Sequence, residues 1–385
     1  MDRSRKLRLG WLFPYSGIFS ELRSDLQQGL DLALCAETGT RIDAYPQFIQ
    51  TGGLKDTEEA LKKLILYEQV DLIVGVMSTK VALCILPLLE SRPIPAILLN
   101  LGADIPCREL SSDYLFYNSL HLWKSQWVMG RWAQQNYGGE PSINMSVYDG
   151  GYGLHESFRR GTVVAGAETA KLNSVQNFSS IPDTAPLVQC ITDQRPRHAH
   201  ALLSGKEGIQ FLQLFSKSAL VSETVLTVNP FMAEDGLLEE IPGGLALYNA
   251  CTWSRDMEKE EHRQFVGTYM AAYGTLPTAF SLLAYESGLA LAAALQEMPG
   301  KISRQDLATQ LGQVTIKGPR GRVRLSTRPL QTEMPVYIRK PILSPQADRP
   351  VNKILSVENG IEWNDPSLYT GQPFFTGWQN PYLCL

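Results

Sequence analysis

The chain has 385 residues, of which 44% are hydrophobic and 19% are charged. Because this length exceeds the roughly 100 to 200 residues of a typical domain and the apolar content can fill a large core, a single small module and a disordered chain are excluded. Lys and Arg total 35 against 39 Asp and Glu, and the resulting formal net charge of -4 argues against nucleic acid as a partner.

In the first part of the chain, apolar β-prone runs alternate with stretches of helical periodicity. Leu7 to Phe13 is predicted to be a strand, and the leucines between Leu22 and Leu34 predict a helix after it. The elements predicted next are a helix over residues 57–66, a strand over residues 71–75, a helix over residues 79–89 and a strand over residues 93–99. This alternation is typical of βαβ units and of a mostly parallel sheet.

The same pattern restarts in the middle of the chain. It predicts a helix over residues 123–137, a strand over residues 143–148, a glycine-rich turn over residues 149–153 and short strands near residues 200–203, 224–228 and 245–252. Two long helices, over residues 258–273 and 279–295, then break the βα rhythm and predict a return to a lobe already begun. From about residue 345 the chain is rich in Pro, Asn, Gly and aromatic residues, which predicts an ordered, loop-rich tail.

Export and redox compartment are not decided by the sequence. No apolar stretch approaches the roughly 18 to 20 residues that span a bilayer, and the apolar run from Leu9 to Phe13 is shorter than the core of a signal peptide. Either the protein is cytoplasmic or an export signal is absent from this chain. Six cysteines without a C-x-x-C pair indicate scattered structural thiols, with one disulfide as the alternative.

Several ordered motifs carry a family resemblance over nearly the whole chain up to about Ile342. They are Gly10 to Gly17, Gly29, Leu32 and Ala33, Val70 to Gly75, Ser78, Thr79 and Pro87, Pro95 to Ile97, Tyr148, Asp149, Tyr152 and Gly153, Phe280 to Tyr285, and Gly318 to Leu325. In this order and spacing the chain resembles bacterial solute-binding proteins of the leucine/isoleucine/valine-binding type, which have the type I periplasmic-binding fold. It is also similar to amide-sensing regulators of the same fold.

The resemblance implies an α/β protein of two three-layer α/β/α lobes with parallel sheets, three hinge crossovers and a ligand cleft between the lobes. Together with the restarted pattern, it predicts one lobe from residues 7–119 and 253–325 and another from residues 120–252 and 326–345. The aromatic-rich tail, residues 346–385, is expected to pack on a lobe.

Candidate ligand contacts of the first lobe follow its strands, because ligands bind at the carboxyl ends of parallel strands. Ser78 and Thr79 open a helix, so their hydroxyls and the helix N-terminal amides can hold a carboxylate or carbonyl oxygen. Ser78 is alternatively a simple helix cap. The resemblance adds Gly102, Ala103 and Asp104 at the same end of the ligand, although Asp104 could instead cap a turn.

Candidates of the second lobe follow its strands in the same way. Tyr152 matches the tyrosine that closes over the ligand in the family, and packing on its own helix is the alternative interpretation. Ser204, Gly205, Asn229 and Phe231 follow the next two strands. Amino-acid binders place an acid where this chain has Asn229 to Phe231, so binding of a plain branched-chain amino acid is not expected, unless Glu207 or Glu234 substitutes.

Other chemistries find little support in the sequence. Gly151 and Gly153 follow a strand, but Glu156 occupies the position of the third glycine of a dinucleotide loop. His198 and His200 lie beside arginines and are interpreted as part of a solvated basic loop rather than as metal ligands. No catalytic residue, metal or cofactor is therefore predicted.

The predicted function is a non-catalytic receptor that binds a small polar or amphipathic organic solute, such as an amino-acid-like compound, amide or carboxylate. In the exported case it would be periplasmic or extracytoplasmic and would deliver its solute to a membrane ABC permease. The alternative is a cytoplasmic small-molecule sensor that regulates a partner protein.

Overall fold

A computed structural model gives the structure of the protein. It describes residues 5–34, 40–105, 111–176, 182–234, 237–242, 245–298, 300–325, 327, 334–344, 349–359 and 378–383. Strands and helices alternate through most of these residues, as the sequence pattern predicts.

Most strands belong to two sheets, and one pair forms a separate hairpin. The strands are β1 (Arg5–Phe13), β2 (Thr40–Phe48), β3 (Leu72–Val76), β4 (Ala96–Asn100), β5 (Leu115–Ser119), β6 (Ser142–Ser146), β7 (Lys171–Val175), β8 (His198–Leu202), β9 (Val225–Val228), β10 (Leu247–Cys251), β11 (Ile316–Gly318), β12 (Gly321–Val323), β13 (Val336–Ser344) and β14 (Arg349–Glu358). The sequence pattern missed β2, β5, β7 and the four strands from β11 to β14.

The helices cover the faces of the sheets. They are α1 (Leu22–Leu34), α2 (Leu54–Lys62), α3 (Thr79–Ser91), α4 (Leu122–Tyr137), α5 (Val147–Gly150), α6 (Leu154–Val164), α7 (Ala185–Gln194), α8 (Gly205–Ser216), α9 (Glu260–Tyr273), α10 (Ala279–Gln296) and α11 (Arg304–Gln313). A π-helical turn, Lys63–Tyr67, extends α2, and short 3-10 turns cover Ala219–Ser222, Pro230–Ala233 and Leu238–Glu240.

The first sheet has the order β2-β1-β3-β4-β5 with all strands parallel. Every residue of β3 and of β4 is buried, which explains why both segments are continuous apolar runs instead of alternating ones. Because the strands are parallel, the residues that follow β1, β3 and β4 lie along one edge of the sheet. Ser16, Ser78 and Gly102 come from these three connections.

The second sheet has the order β14-β13-β10-β9-β8-β6-β7. Its strands from β6 to β10 are parallel, whereas β13 and β14 run antiparallel to their neighbours. The chain passes between the two sheets three times, after β5, after β10 and between β12 and β13. The protein therefore has the two-lobed α/β architecture of the type I periplasmic-binding fold.

Polar contacts tie these crossings together. The Thr252 hydroxyl donates to the carbonyl of Leu120 over 2.8 Å and joins the first crossing to the second. The Arg320 guanidinium donates to both carboxylate oxygens of Glu286. It also donates to the carbonyl of Ser119 over 2.8 Å. Arg320 and Glu286 are fully buried, so the hairpin β11-β12 is fixed against the end of β5.

Helix α10 packs closely against α1 in the first lobe. A Cβ on Gly29 would come within 2.1 Å of the carbonyl oxygen of Ser281, so only glycine allows this approach. Among the described helices, α10 alone is long and apolar enough to cross a membrane, whereas the sequence analysis found no stretch of that length. Of its 18 residues, 78% are buried inside the protein. Burial of this extent is typical of a core helix in a globular fold.

The prediction of a solvated loop at His198 and His200 is wrong. Both residues lie on the buried strand β8. The Nε2 atom of His198 lies 2.9 Å from Oε1 of Gln134, and Nδ1 of His200 lies 2.9 Å from Oγ1 of Thr227. Burial lowers the pKa of His198 to about 4 and holds that of His200 well below its usual range. Both imidazoles are therefore neutral core side chains.

The tail also differs from its prediction. Arg349–Glu358 is not loop but the edge strand β14, whose Pro350 is tolerated at a strand end and whose Asn352 is buried against the carbonyl of Ala233. Residues 378–383 lie between the two lobes instead of packing on one of them. The aromatic residues between these two segments lie outside the described residues.

Of the six cysteines, Cys84, Cys190 and Cys251 are free thiols, and the other three lie outside the described residues. Cys251 is buried at the end of β10. This agrees with the interpretation of these three as scattered structural thiols.

Candidate functional site

The cleft between the lobes holds a piece of the chain itself, which we call the C-terminal segment (residues 378–383). Tyr382 is 3% exposed and Leu383 is fully buried, and both belong to the main apolar cluster of the protein. Trp378 at the other end is exposed. The segment therefore enters the cleft from the surface and ends in its interior.

The first lobe holds the backbone of the C-terminal segment through three side-chain donors. The Ser16 hydroxyl donates to the carbonyl of Leu383 over 2.6 Å, and the Ser78 hydroxyl donates to that of Gln379 over 2.5 Å. The Lys80 ammonium donates to the carbonyl of Trp378 over 2.7 Å. These residues follow β1 and β3, so the edge of the first sheet presents a row of donors to carbonyl oxygens.

Ser78 has two roles at once. Its Oγ accepts a hydrogen bond of 3.1 Å from the backbone amide of Val81, which makes it the N-cap of α3, while the same hydroxyl donates into the cleft. The cap fixes the direction of the hydroxyl because the oxygen is held by the helix. The two interpretations of Ser78 from sequence are therefore compatible.

The second lobe covers the C-terminal segment with aromatic rings. The Tyr152 hydroxyl donates to the carbonyl of Pro381 over 3.3 Å, and its ring meets that of Tyr382 edge to face at 4.8 Å between centroids. The Tyr148 ring stacks with both Trp378 and Tyr382, at 6.4 Å from each. The indole of Trp378 donates to the carbonyl of Tyr148 over 2.9 Å.

The phenol of Tyr382 is buried and hydrogen-bonded to side chains of the second lobe. Its hydroxyl donates to Oδ1 of Asp149, accepts a 2.7 Å hydrogen bond from the Asn229 amide and lies 3.2 Å from the Ser204 hydroxyl. The Asn229 carbonyl oxygen accepts from the backbone amide of Phe231 over 3.1 Å, which turns the amide nitrogen towards the phenol. We call Asp149, Ser204 and Asn229 the phenol subsite.

Asp149 is the charged group of this subsite and is fully buried. Burial raises the pKa of its carboxyl to about 6, although hydrogen bonds from Ser204, Tyr382 and Ser146 lower it and Glu207 raises it further. The Ser204 hydroxyl donates to Oδ1 over 2.5 Å and that of Ser146 to Oδ2 over 2.7 Å. The carboxylate is thus a pre-oriented acceptor for a hydroxyl group.

Four of the residues predicted from sequence contact the C-terminal segment directly. They are Ser78 of the first lobe and Tyr152, Ser204 and Asn229 of the second. Ser78 and Tyr152 come from opposite lobes, so the structure places them on either side of one cleft. That they contact a solute stays a prediction.

The other predicted residues lie around these contacts. The Thr79 hydroxyl accepts from the Asn100 amide at 3.4 Å, and Asp104 forms an ion pair of 4.0 Å with Lys80. Gly102 has a positive φ of 71°, which favours glycine, and a Cβ there would lie 2.6 Å from the Ser119 hydroxyl. Ala103 is buried beside these groups.

Gly205 and Phe231 form contacts between the lobes. Gly205 has a φ of 52°, and a Cβ there would lie 2.8 Å from Ile18 of the first lobe. The Phe231 ring meets Phe19 of the first lobe edge to face at 5.5 Å. The structure therefore places these two predicted residues at the contact surface of the lobes.

The sequence prediction missed Ser16, Lys80, Tyr148 and Asp149 as groups that line the cleft. All four lie in segments that follow strands of the two sheets, which is the signal that selected Ser78 and Ser204. Ser16, Tyr148 and Asp149 were recognised only as family motif residues. No group of three or more His, Cys, Asp or Glu side chains arranged to hold a metal ion occurs among the described residues.

Comparison with known proteins identifies a sequence family and a relative that each match most of the chain. Residues 6–341 match the sequence family described as periplasmic binding protein. A Leu/Ile/Val-binding protein homolog 6 of Brucella melitensis is 20% identical over 345 residues, which cover 87% of each chain.

Two solved structures show the same fold. An ABC transporter substrate-binding protein from Sphaerobacter thermophilus has a TM-score of 0.80 at 20% identity, covering 92% of this chain and 98% of its own. A solute-binding protein of an ABC transporter from Rhodopseudomonas palustris, in complex with p-hydroxybenzoic acid, has a TM-score of 0.76 at 15% identity, covering 92% and 97%.

Proposed function

The chain belongs to the periplasmic binding protein family, and from this we propose that it is a non-catalytic receptor that binds a small polar or amphipathic organic solute between its lobes. The observation that carries the proposal is the convergence of polar side chains from both lobes on a single occupant. Ser16, Ser78 and Lys80 reach it from one side, and Tyr152 and Asn229 from the other.

Contacts from both lobes explain how such a receptor closes. A solute held by Ser78 and Tyr152 at once gains its full set of hydrogen bonds only when the lobes approach. Its affinity is therefore higher for the closed form, and binding shifts the population towards closure. Exclusion of water from the closed cleft strengthens the same polar contacts.

The cleft favours solutes with carbonyl or carboxylate oxygens at one end. Three donors of the first lobe already hold backbone carbonyls there, and one of them is the cationic Lys80. The related protein of Rhodopseudomonas palustris was solved with p-hydroxybenzoic acid, which combines a carboxylate with an aromatic ring. We infer that amides and carboxylates with an apolar or aromatic body are the preferred solutes.

In the cell, the receptor acts outside the cytoplasmic membrane and delivers its solute to the permease of an ABC importer. This follows the role of the family and of the related Sphaerobacter protein, an ABC transporter substrate-binding protein. Deletion of the gene is expected to abolish the uptake, by whole cells, of the solute that calorimetry identifies. Normal uptake in the deletion strain would contradict the transport role.

The binding function is tested by calorimetry of the full-length protein with amino acids, amides, short carboxylic acids and hydroxybenzoates. For a solute that binds, Tyr152→Ala is expected to lose roughly 1 to 3 kcal/mol of binding free energy, since the ring covers the occupant and its hydroxyl donates to it. Tyr67→Ala, which removes a tyrosine ring that is 82% exposed on the first lobe, is the control and leaves binding unchanged.

Ser78 gives a second test with a closely matched control. Ser78→Ala removes both a helix cap and a donor into the cleft, whereas Ser303→Ala removes only the cap of α11. Each loses about 1 kcal/mol of stability through the cap. Only Ser78→Ala is expected to weaken solute binding. Equal affinity of the two variants would exclude Ser78 from the site. The absence of binding by every solute, both to the wild type and to the variant Tyr382→Ala that removes the Tyr382 ring from the cleft, would refute the receptor function.

A further inference from the structure

The C-terminal segment occupies the cleft in the manner of a bound molecule. Its carbonyls accept from Ser16, Ser78, Lys80 and Tyr152, which belong to two lobes. Pro381, Tyr382 and Leu383 are all buried. An external solute that uses the same donors cannot bind while the C-terminal segment is in place, because both would require the same hydrogen-bonding atoms.

We propose that the C-terminal segment is an intrachain competitor for the cleft and that the phenol subsite selects external solutes that carry an aromatic hydroxyl group. The inference rests on the proposed function, since it names the regulation and the solute class of the same site. Because the competitor is part of the chain, its effective concentration does not depend on protein concentration.

The selectivity follows from the donors and acceptors around the Tyr382 hydroxyl. Asp149 accepts a hydrogen bond from it, and Asn229 donates one to it. The group that fits must therefore be a donor and an acceptor at once, which a hydroxyl is and a carboxylate is not. A carboxylate in this position would also lie against the negative charge of Asp149.

An ammonium group fits the subsite no better. It has donors only, and it would leave the Asn229 amide without an acceptor. Rotation of that amide is opposed by the hydrogen bond from the Phe231 amide to the Asn229 oxygen. The rings of Tyr148 and Tyr152 flank the Tyr382 ring, so an aromatic body carries the hydroxyl best.

The experiment measures the binding of two probes to the full-length protein by calorimetry. The probe 4-hydroxyphenylacetamide has a phenol and a carbonyl, and phenylacetamide lacks only the hydroxyl. Tyr382→Ala is expected to bind 4-hydroxyphenylacetamide at least about tenfold more tightly than the wild type, because a cleft occupied most of the time lowers apparent affinity by its free fraction. The affinity of this variant for phenylacetamide is expected to be at least about tenfold lower than its affinity for 4-hydroxyphenylacetamide, because phenylacetamide leaves buried polar groups unpaired.

Tyr382→Phe provides a second variant that keeps the ring in the chain. It removes the hydroxyl that pairs with Asp149 and Asn229, so docking of the C-terminal segment is weakened without loss of the ring. Its affinity for 4-hydroxyphenylacetamide is expected to lie between those of the wild type and Tyr382→Ala. Tyr67→Ala, which lies far from the C-terminal segment in sequence and is exposed, should match the wild type.

Hydrogen exchange follows the C-terminal segment directly. Its amides are expected to be protected in the wild type and to exchange faster when 4-hydroxyphenylacetamide saturates the protein. If the amides of the C-terminal segment exchange at the unprotected rate in the absence of the probe, the segment does not occupy the cleft and the proposal is refuted. Equal affinity of the wild type and both Tyr382 variants would overturn competition, and equal binding of the two probes, or binding of neither by Tyr382→Ala, would overturn phenol selection.

The outcomes separate this inference from the proposed function. If the competition or phenol tests fail while another amide or carboxylate binds with a dependence on Ser78 and Tyr152, the receptor function stands and the inference does not. If no solute binds even to Tyr382→Ala although the C-terminal segment is protected, the receptor function and phenol selection both fail.

Discussion

Asp149 offers a sharp test of the electrostatics of the cleft. The carboxyl is fully buried beneath the C-terminal segment, and three hydroxyls, from Ser146, Ser204 and Tyr382, donate to it. Burial nevertheless outweighs these hydrogen bonds and raises the pKa from its ordinary 3.8 to about 6. The perturbation is Asp149→Asn, which keeps the size of the side chain and removes its charge at every pH.

The sign of the effect follows from linkage between protonation and folding. The folded chain retains the Asp149 proton in a range where the unfolded chain has lost it, so this residue favours the folded state below its ordinary pKa of 3.8. The contribution is lost as the pH rises through the folded pKa of about 6. A difference of about two pKa units corresponds to roughly 3 kcal/mol of unfolding free energy.

The assay is urea unfolding of the wild type and Asp149→Asn at several pH values between about 4 and 7. The unfolding free energy of the wild type is expected to fall relative to that of the variant by about 2 to 3 kcal/mol across this range. Asp306→Asn is the control, because Asp306 is also in the first turn of a helix but is exposed. A constant difference between wild type and Asp149→Asn at all pH values would refute the raised pKa.

Further predictions concern the packing of the first lobe. Glu286→Gln leaves the buried Arg320 guanidinium without its charged partner, and urea unfolding is expected to show a loss of about 3 to 5 kcal/mol; a loss below about 1 kcal/mol would show that the pair is solvated. Gly29→Ala places a Cβ within 2.1 Å of the Ser281 carbonyl and is expected to lose more than about 2 kcal/mol, which unchanged thermal stability would contradict. Gly267→Ala, which meets no atom within 4 Å on an exposed helix face, is instead expected to gain about 0.5 to 1 kcal/mol in the same unfolding assay.

The occupied cleft also changes how binding experiments on this protein are interpreted. A screen of the wild type measures the affinity of a solute reduced by the fraction of molecules in which the C-terminal segment is docked. Weak binding in such a screen therefore reports on competition as much as on fit. Parallel measurements on Tyr382→Ala separate the two contributions.

The sequence determined the α/β alternation of most elements up to α10 and much of the edge that forms the cleft. β3 and β4 are buried on both faces. Their continuous apolar runs could therefore be recognised as strands without knowing which elements pack against them. Ser78 was predicted because a hydroxyl residue that opens a helix directly after a strand lies at the ligand edge of a parallel sheet, and Tyr152 because it matches the tyrosine of the resembling family. These are local signals, readable within a few residues.

The tertiary structure decided what depends on contacts between distant residues. The Ser16 hydroxyl and the carbonyl of Leu383 are 367 residues apart in the chain, and a hydrogen bond to a backbone carbonyl leaves no side-chain pattern in the accepting segment. His198 and His200 were misread because neighbouring arginines suggested solvent, whereas pairing with Gln134 and Thr227 makes neutral imidazoles compatible with a core. The occupant of the cleft emerged only when both lobes and the chain end were assembled in space.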